Sequence, residues 1–279
     1  MDRRKIRSAH TNLFGTRELA PHSRYAVIVA HPDDEIIGAG GLISRLENVT
    51  VLHITDGVPG NGYVAEAGFA RRSDYAKARR TECKSALALA NVSEDRIVDL
   101  GLVDSQASHY LSDLTRKVAT FLQKTSPDVV LTHPYEGSHP DHDATAFATH
   151  AALRLLQRHG FKPPTVFEIA LHPGSDGTQR VLDFLPSDAT ETTTLILDKK
   201  ARDLKRRMFE CLITQADDLH ENALGPERFR RPPPYDFAAA PRGGKANYEK
   251  FDCGVTGDEW RVLVRQAWTD LFPDETTAH

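Results

Sequence analysis

The run Tyr25-Ala26-Val27-Ile28-Val29-Ala30 restricts the fold more than any other feature, because it has no polar face. A strand of this kind suits a parallel sheet covered by helices on both sides. Beyond the turn Pro32-Asp33-Asp34, residues Glu35 to Leu46 place Ile36, Ile37, Leu42, Ile43 and Leu46 at helical spacing. Gly38, Gly40 and Gly41 let this helix approach a neighbour closely. Val49 to Thr55 is again strand-like and stops at the turn signal Asp56-Gly57. Strand, helix and strand in this order form a βαβ unit, whose connection is right-handed.

The alternation continues. Helices are expected over Phe69 to Leu89, Leu111 to Gln123, Asp141 to His159 and Lys199 to Leu212; strands over Arg96 to Leu100, Asp128 to Thr132, Thr165 to Leu171 and Thr192 to Leu197. His172-Pro173-Gly174 reads as a turn. The pattern predicts an α/β, Rossmann-like layered fold, with a mostly parallel central sheet flanked by helices and ligands beyond the carboxyl ends of the strands. Residues 1–23 read as an N-terminal extension and 24–279 as a single α/β domain. Within it, 222–257 is loop-rich in proline, glycine, aromatics and arginine; a loop of that length needs a reason, and a place near the substrate pocket supplies one.

Composition narrows the function classes. The 35 Lys and Arg against 39 Asp and Glu give a formal charge of -4, which argues against a nucleic-acid partner. Cys83, Cys211 and Cys253 are far apart and form no CxxC pair, so neither a disulfide framework nor a thiolate zinc knuckle is suggested. Arg3, Arg4, Lys5 and Arg7 make the start basic, but Ser8 to Pro21 lacks the apolar run of a signal peptide, and no stretch reaches the roughly 20 apolar residues of a membrane span. A cytoplasmic protein is expected. Oligomeric state is not written in the sequence; no coiled-coil heptad is present, and a homo-oligomer is compatible with it.

Two short segments carry the chemistry. His31-Pro32-Asp33-Asp34-Glu35 offers an imidazole and two carboxylates where a buried strand releases into a loop. Two histidines and one carboxylate suit Zn²⁺ with a position left open for water. His31 and Asp34 supply two such ligands, and Asp33 can then face the water and take its proton. In His139-Pro140-Asp141-His142 one histidine can ligate while the other faces substrate; His142, on the firmer platform of a helix start, is the better ligand. Asp141 can hydrogen-bond a histidine from behind.

Ala30-His31-Pro32-Asp33-Asp34-Glu35 followed by His139-Pro140-Asp141-His142 resembles the zinc-dependent PIG-L/LmbE-like family of N-acetylglucosaminyl deacetylases. Members act on N-acetylglucosamine joined to inositol, malate or phosphatidylinositol, and on related groups in antibiotics and chitin fragments. The resemblance spans 24 to about 200. It implies zinc, or another divalent metal such as Fe²⁺, held by His31, Asp34 and His142, with Asp33 as general base. It further implies that His139 stabilises the tetrahedral intermediate and that Asp141 tunes His139. Arg79, three residues before Glu82, resembles a family Arg-x-x-Glu element and is a candidate substrate contact. The family's glycine after the leucine ending that helix is replaced by Ala90, and its Pro-Asp-Gly-like loop by Val103-Asp104-Ser105. Those departures are expected to leave the metal untouched and to reshape the sugar pocket.

Asp56, Tyr63, His172 and Arg230 complete the candidate substrate contacts, Arg230 with Arg228 and Arg231 as a planar donor fork for an anionic aglycone. The expected reaction is hydrolysis of the N-acetyl group of a small N-acetylglucosamine conjugate, giving acetate and a free amine. Two other readings compete: a metal-dependent amidohydrolase acting on a non-sugar or glycolipid amide, and a non-catalytic sugar- or nucleotide-binding protein. The second is weak for nucleotides, because Gly38-x-Gly40-Gly41 does not match GxGxxG.

Overall fold

In the computed structural model, the described residues are 23–58, 63–173, 182–185, 190–216, 224–241, 245–250 and 253–275. The expected N-terminal extension lies outside them except for Ser23. In chain order the elements are β1 (Arg24–Val29), α1 (Asp34–Ile43), β2 (Asn48–Thr55), α2 (Tyr63–Glu66), α3 (Arg72–Leu89), β3 (Ile97–Leu102), α4 (Leu111–Thr125), β4 (Val129–Thr132) and α5 (Pro140–Arg158). They continue with β5 (Thr165–Ile169), β6 (His172–Pro173), β7 (Leu182–Asp183), β8 (Thr192–Leu195), α6 (Lys199–Glu210), β9 (Glu227–Arg230) and α7 (Gly257–Leu271).

The main sheet has the order β3-β2-β1-β4-β5-β9-β8, the first five strands parallel and the last two joined antiparallel. The expected mostly parallel sheet is therefore present. Alternation along β1 divides its side chains between two apolar clusters. Tyr25, Val27 and Val29 pack with residues of α1, α3 and α6, whereas Ala26 and Ile28 pack with residues of α4, α5 and α7. On the first face α1 lies so close to the sheet that a Cβ at Gly38 would come within 2.2 Å of Ile169 Cγ2, which is why glycine stands there.

Two elements, β9 and α7, were not anticipated. The loop-rich 222–257 segment contains β9, an interior strand between β5 and β8. His172 and Pro173 pair with Asp183 and Leu182 in a short antiparallel ribbon; Gly174 lies outside the described residues. Helix α7 opens with a capping box in which Thr256 accepts the Glu259 amide and Glu259 accepts the Thr256 amide. Its Trp260 is buried and donates Nε1–H to Phe237 O at 3.0 Å, fixing the proline-rich segment against the second apolar cluster.

Among the described residues, no helix is long and apolar enough to cross a membrane.

Candidate metal centre

Strand order reverses between β1 and β4: the chain runs outward from β1 through β2 to β3, then crosses back to β4 and β5. The crevice at such a switch point, beyond the carboxyl ends of the strands, is where open α/β sheets bind ligands. His31 follows β1 there, and His133 follows β4. Helix α5 delivers the other segment: His139 is its N-cap, accepting the Asp141 amide on Nδ1 at 3.2 Å, and Pro140 occupies its first turn, where no amide hydrogen is needed.

The three expected ligands meet. His142 Nε2 lies 3.3 Å from His31 Nδ1 and 3.5 Å from Asp34 Oδ1, and His31 Nδ1 lies 3.3 Å from Asp34 Oδ2. Zinc holding nitrogen and oxygen at about 2.0–2.1 Å in a tetrahedron sets ligand-to-ligand edges of about 3.3 Å. The donor types fit a divalent metal, and the mutually close donor groups include His31, His139 and His142, and Asp34, His133 and His142. His139 joins the same cluster, its ring 4.7 Å from that of His31 and 5.2 Å from that of His142.

Burial and charge divide the group. Burial alone disfavours the Asp34 carboxylate, but His142, His31 and His133 outweigh it and hold its pKa well below the usual range. Burial also works against a charged His31, yet Asp34, Asp104 and Asp141 together raise its pKa well above that of ordinary histidine. Burial and neighbouring histidines push His139 down to about 3 and His142 to about 4. Asp33 moves the other way: burial raises it to about 6, against the opposing pull of Arg79.

Arg79 is a partner of Asp33, which corrects its assignment as a substrate contact. It is buried, its Nη2 lies 2.6 Å from Asp33 Oδ2, and it also donates to the carbonyls of Gly57 and Pro32. Glu82 of the same element accepts the Thr214 amide and hydroxyl at 3.0 and 2.7 Å. Asp141 touches both His31 and His139. Its carboxylate accepts the amides of Ser105 and Ala107 at 2.6 and 3.0 Å and stands 3.4 Å from His31 Nε2, while its amide donates to His139.

The 103–105 loop comes close to His31: Asp104 Oδ1 is 3.7 Å from His31 Nε2. Ser105 takes the left-handed conformation, φ 65°, in this turn. Asp56 is occupied by Arg72 Nη2 at 2.7 Å and by the amides of Val58 and Asp104, so it ties loops together instead of facing substrate. Arg230 is likewise committed, its Nε 2.7 Å from Glu168 and its Nη2 3.0 Å from Glu136, all three buried. It braces the loop before His139 and is not available to an anionic aglycone. Arg228 and Arg231 donate to the carbonyls of Leu182 and Val166. Tyr63 begins α2 and His172 lies in β6; their side chains lie outside what is described.

His133 was missed. It is fully buried, accepts the Ala30 amide on Nε2 at 2.8 Å, lies 3.3 Å from Asp34 Oδ2 and stacks on His142 with ring centroids 4.0 Å apart. Thr132-His133-Pro134 repeats the strand-His-Pro signal of Ala30-His31-Pro32, which was sufficient to find it.

Residues 26–153, a little under half of the chain, match the family described as GlcNAc-PI de-N-acetylase, PIG-L. The probable N-acetyl-alpha-D-glucosaminyl L-malate deacetylase 2 of Bacillus subtilis is 32% identical over 141 residues, covering 47% of this chain and 60% of that protein. Diacetylchitobiose deacetylase of Thermococcus kodakarensis is 32% identical over 128 residues, covering 43% of this chain and 45% of that protein. The match therefore spans 45–60% of the length of these relatives. A teicoplanin-biosynthesis deacetylase, solved as its teicoplanin complex, superposes with a TM-score of 0.58 at 18% identity, over 75% of this chain and 97% of that one; this likeness is one of fold. The matched segment contains every residue of the candidate metal cluster, and over residues 26–153 the chain resembles the PIG-L/LmbE-like family.

Proposed function

We propose that this chain is a zinc-dependent deacetylase that hydrolyses the N-acetyl group of a small N-acetylglucosamine-containing conjugate, releasing acetate and a free amine. The observation that carries this reading is the buried Asp33 carboxylate. It lies next in sequence to the ligand Asp34, is held by Arg79 at 2.6 Å, and titrates at about 6. The activities for which these relatives are named, on acetylglucosaminyl malate and on diacetylchitobiose, support the sugar.

Zinc bound by His31, Asp34 and His142 supplies a Lewis acid that polarises an amide carbonyl and acidifies water; the same two-histidine, one-carboxylate set also suits Fe²⁺. The chain's own groups do the rest. Asp33 is a carboxylate at neutral pH, yet basic enough to take the proton of the attacking water, and once protonated it is the group that gives a proton to the departing amine nitrogen. His139 is neutral, because its Nδ1 accepts the Asp141 amide and its pKa is near 3. Its proton therefore sits on Nε2, where it serves as a hydrogen-bond donor to the developing oxyanion. This assigns proton delivery to Asp33 and charge stabilisation to His139.

The test is metal analysis coupled to a panel of N-acetylglucosamine conjugates, with acetate and free amine both measured. Equimolar acetate and amine from at least one conjugate is expected. Full zinc occupancy with no product across the panel would transfer the reading to a different amide.

A further inference from the structure

A second group of metal-type donors lies beside the first turn of α1 and takes no part in the reaction proposed above. Glu35, His53 and Cys83 come from α1, β2 and α3, and all three are buried, at 0%, 1% and 1% exposure. Cys83 Sγ lies 3.1 Å from Glu35 Oε1 and 3.8 Å from His53 Nε2, and His53 Nε2 lies 3.3 Å from Glu35 Oε2. Zinc bound to sulfur at about 2.3 Å and to nitrogen and oxygen at about 2.0–2.1 Å in a tetrahedron sets edges of about 3.5 Å for sulfur to oxygen, 3.6 Å for sulfur to nitrogen and 3.3 Å for nitrogen to oxygen. The three separations bracket those values.

Two further observations point the same way. Glu35 Oε2 is buried and has no hydrogen-bond partner among the described residues, although an imidazole nitrogen stands 3.3 Å away; the two are close without being aligned as donor and acceptor. On its far side, His53 is held by Nδ1 against Asp99 Oδ1 at 2.9 Å, and Asp99 Oδ2 is paired with Arg80 Nε at 3.0 Å. A carboxylate behind the imidazole fixes the tautomer that presents Nε2 as a ligand, the usual arrangement behind a zinc-bound histidine. The strand register makes this pairing structural, since His53 and Asp99 are directly opposite on β2 and β3. Charge also balances: a thiolate and a carboxylate neutralise a divalent cation, and Arg80 neutralises Asp99, so no net charge is left buried.

We propose that Glu35, His53 and Cys83 form a second, structural zinc site that ties α1, β2 and α3 together. One Glu35 oxygen faces sulfur and the other faces nitrogen, so a chelating carboxylate completes four donors. The proposal shares no ligand with the His31, Asp34 and His142 centre and does not depend on the reaction assigned to it.

Sulfur makes the two sites spectroscopically separable. The full chain is produced in medium supplied with cobalt(II) in place of zinc, and its absorption is recorded. A thiolate ligand gives a near-ultraviolet sulfur-to-cobalt charge-transfer band that an all-nitrogen-and-oxygen site cannot give. The band is expected in the unaltered protein and in His142→Ala, and is expected to vanish in Cys83→Ser together with one equivalent of bound metal. Cobalt bound to folded protein without the band overturns the site, as does a band that survives Cys83→Ser. Should Cys83→Ser fail to fold, the unaltered protein still decides: bound cobalt with no thiolate band leaves Cys83 as a thiol donating to Glu35.

Discussion

Arg79 Nη2 and Asp33 Oδ2 stand 2.6 Å apart in a buried ion pair, so the carboxylate proposed as base is tuned from behind by a residue of α3. Burial raises Asp33 to about 6 and Arg79 restrains the rise. Only the carboxylate form accepts a proton, so kcat/KM is expected to fall as pH drops through about 6. Removing the guanidinium takes away the restraint. Arg79→Gln is therefore expected to move this acidic limb to higher pH, which a pH–rate profile at constant zinc occupancy checks; an unmoved limb would separate Asp33 from the observed titration.

Asp33→Asn keeps the shape of the side chain and removes its basicity. Because His31, Asp34 and His142 are untouched, zinc content after dialysis is expected to stay the same while turnover falls by about 100-fold or more. Equal turnover at matched metal content would reject Asp33 as the base.

His142→Ala and His133→Ala are expected to separate ligation from support. The first removes one of the atoms spaced for the metal and is expected to leave this centre unable to retain zinc through dialysis. His133 touches Asp34 and stacks on His142 instead, so its loss is expected to weaken zinc by about 10- to 100-fold. Competition with a chromogenic chelator measures both, and identical retention in the two variants would erase the distinction.

On the opposite side of α1, Lys205 and Glu227 form a buried pair at 2.7 Å. Lys205 also donates to Ile37 O, and Glu227 accepts the amides of Gly41 and Leu42 at 2.6 and 2.8 Å. Lys205→Met leaves a buried carboxylate without its cation and is expected to cost about 3–5 kcal/mol in unfolding free energy. Denaturant titration reads this directly, and a change under about 1 kcal/mol would show that the pair is solvated.

The centre of the parallel sheet was legible because β1 and β4 are short apolar runs, and such runs report burial. Strand β9 was not. Its sequence, Glu227-Arg228-Phe229-Arg230, is three-quarters charged and reads as a solvated loop. Only the fold reveals that Glu227 is answered by Lys205 and Arg230 by Glu168 and Glu136. The metal ligands were legible for a different reason: donors crowded into one turn keep their chemistry whatever surrounds them. The substrate contacts had no such protection. Arg79, Asp56 and Arg230 were sound as residue types, and each is taken by an internal partner that lies far away in sequence. His133 illustrates the converse, a lone histidine whose importance comes from landing between Asp34 and His142.

Arg230 has a consequence for how this architecture can be divided. It reaches from the last third of the chain to Glu136, whose backbone leads to His139, and it is shared with Glu168 on β5. A fragment ending at residue 153, where the match to the family stops, would lose the cation and expose the flank of β4 that β5 covers. The matched portion is thus not a portable module. Recombination that exchanges C-terminal segments between relatives must carry an arginine or an equivalent brace to the same place, or the histidine cap of α5 arrives on an unsupported loop.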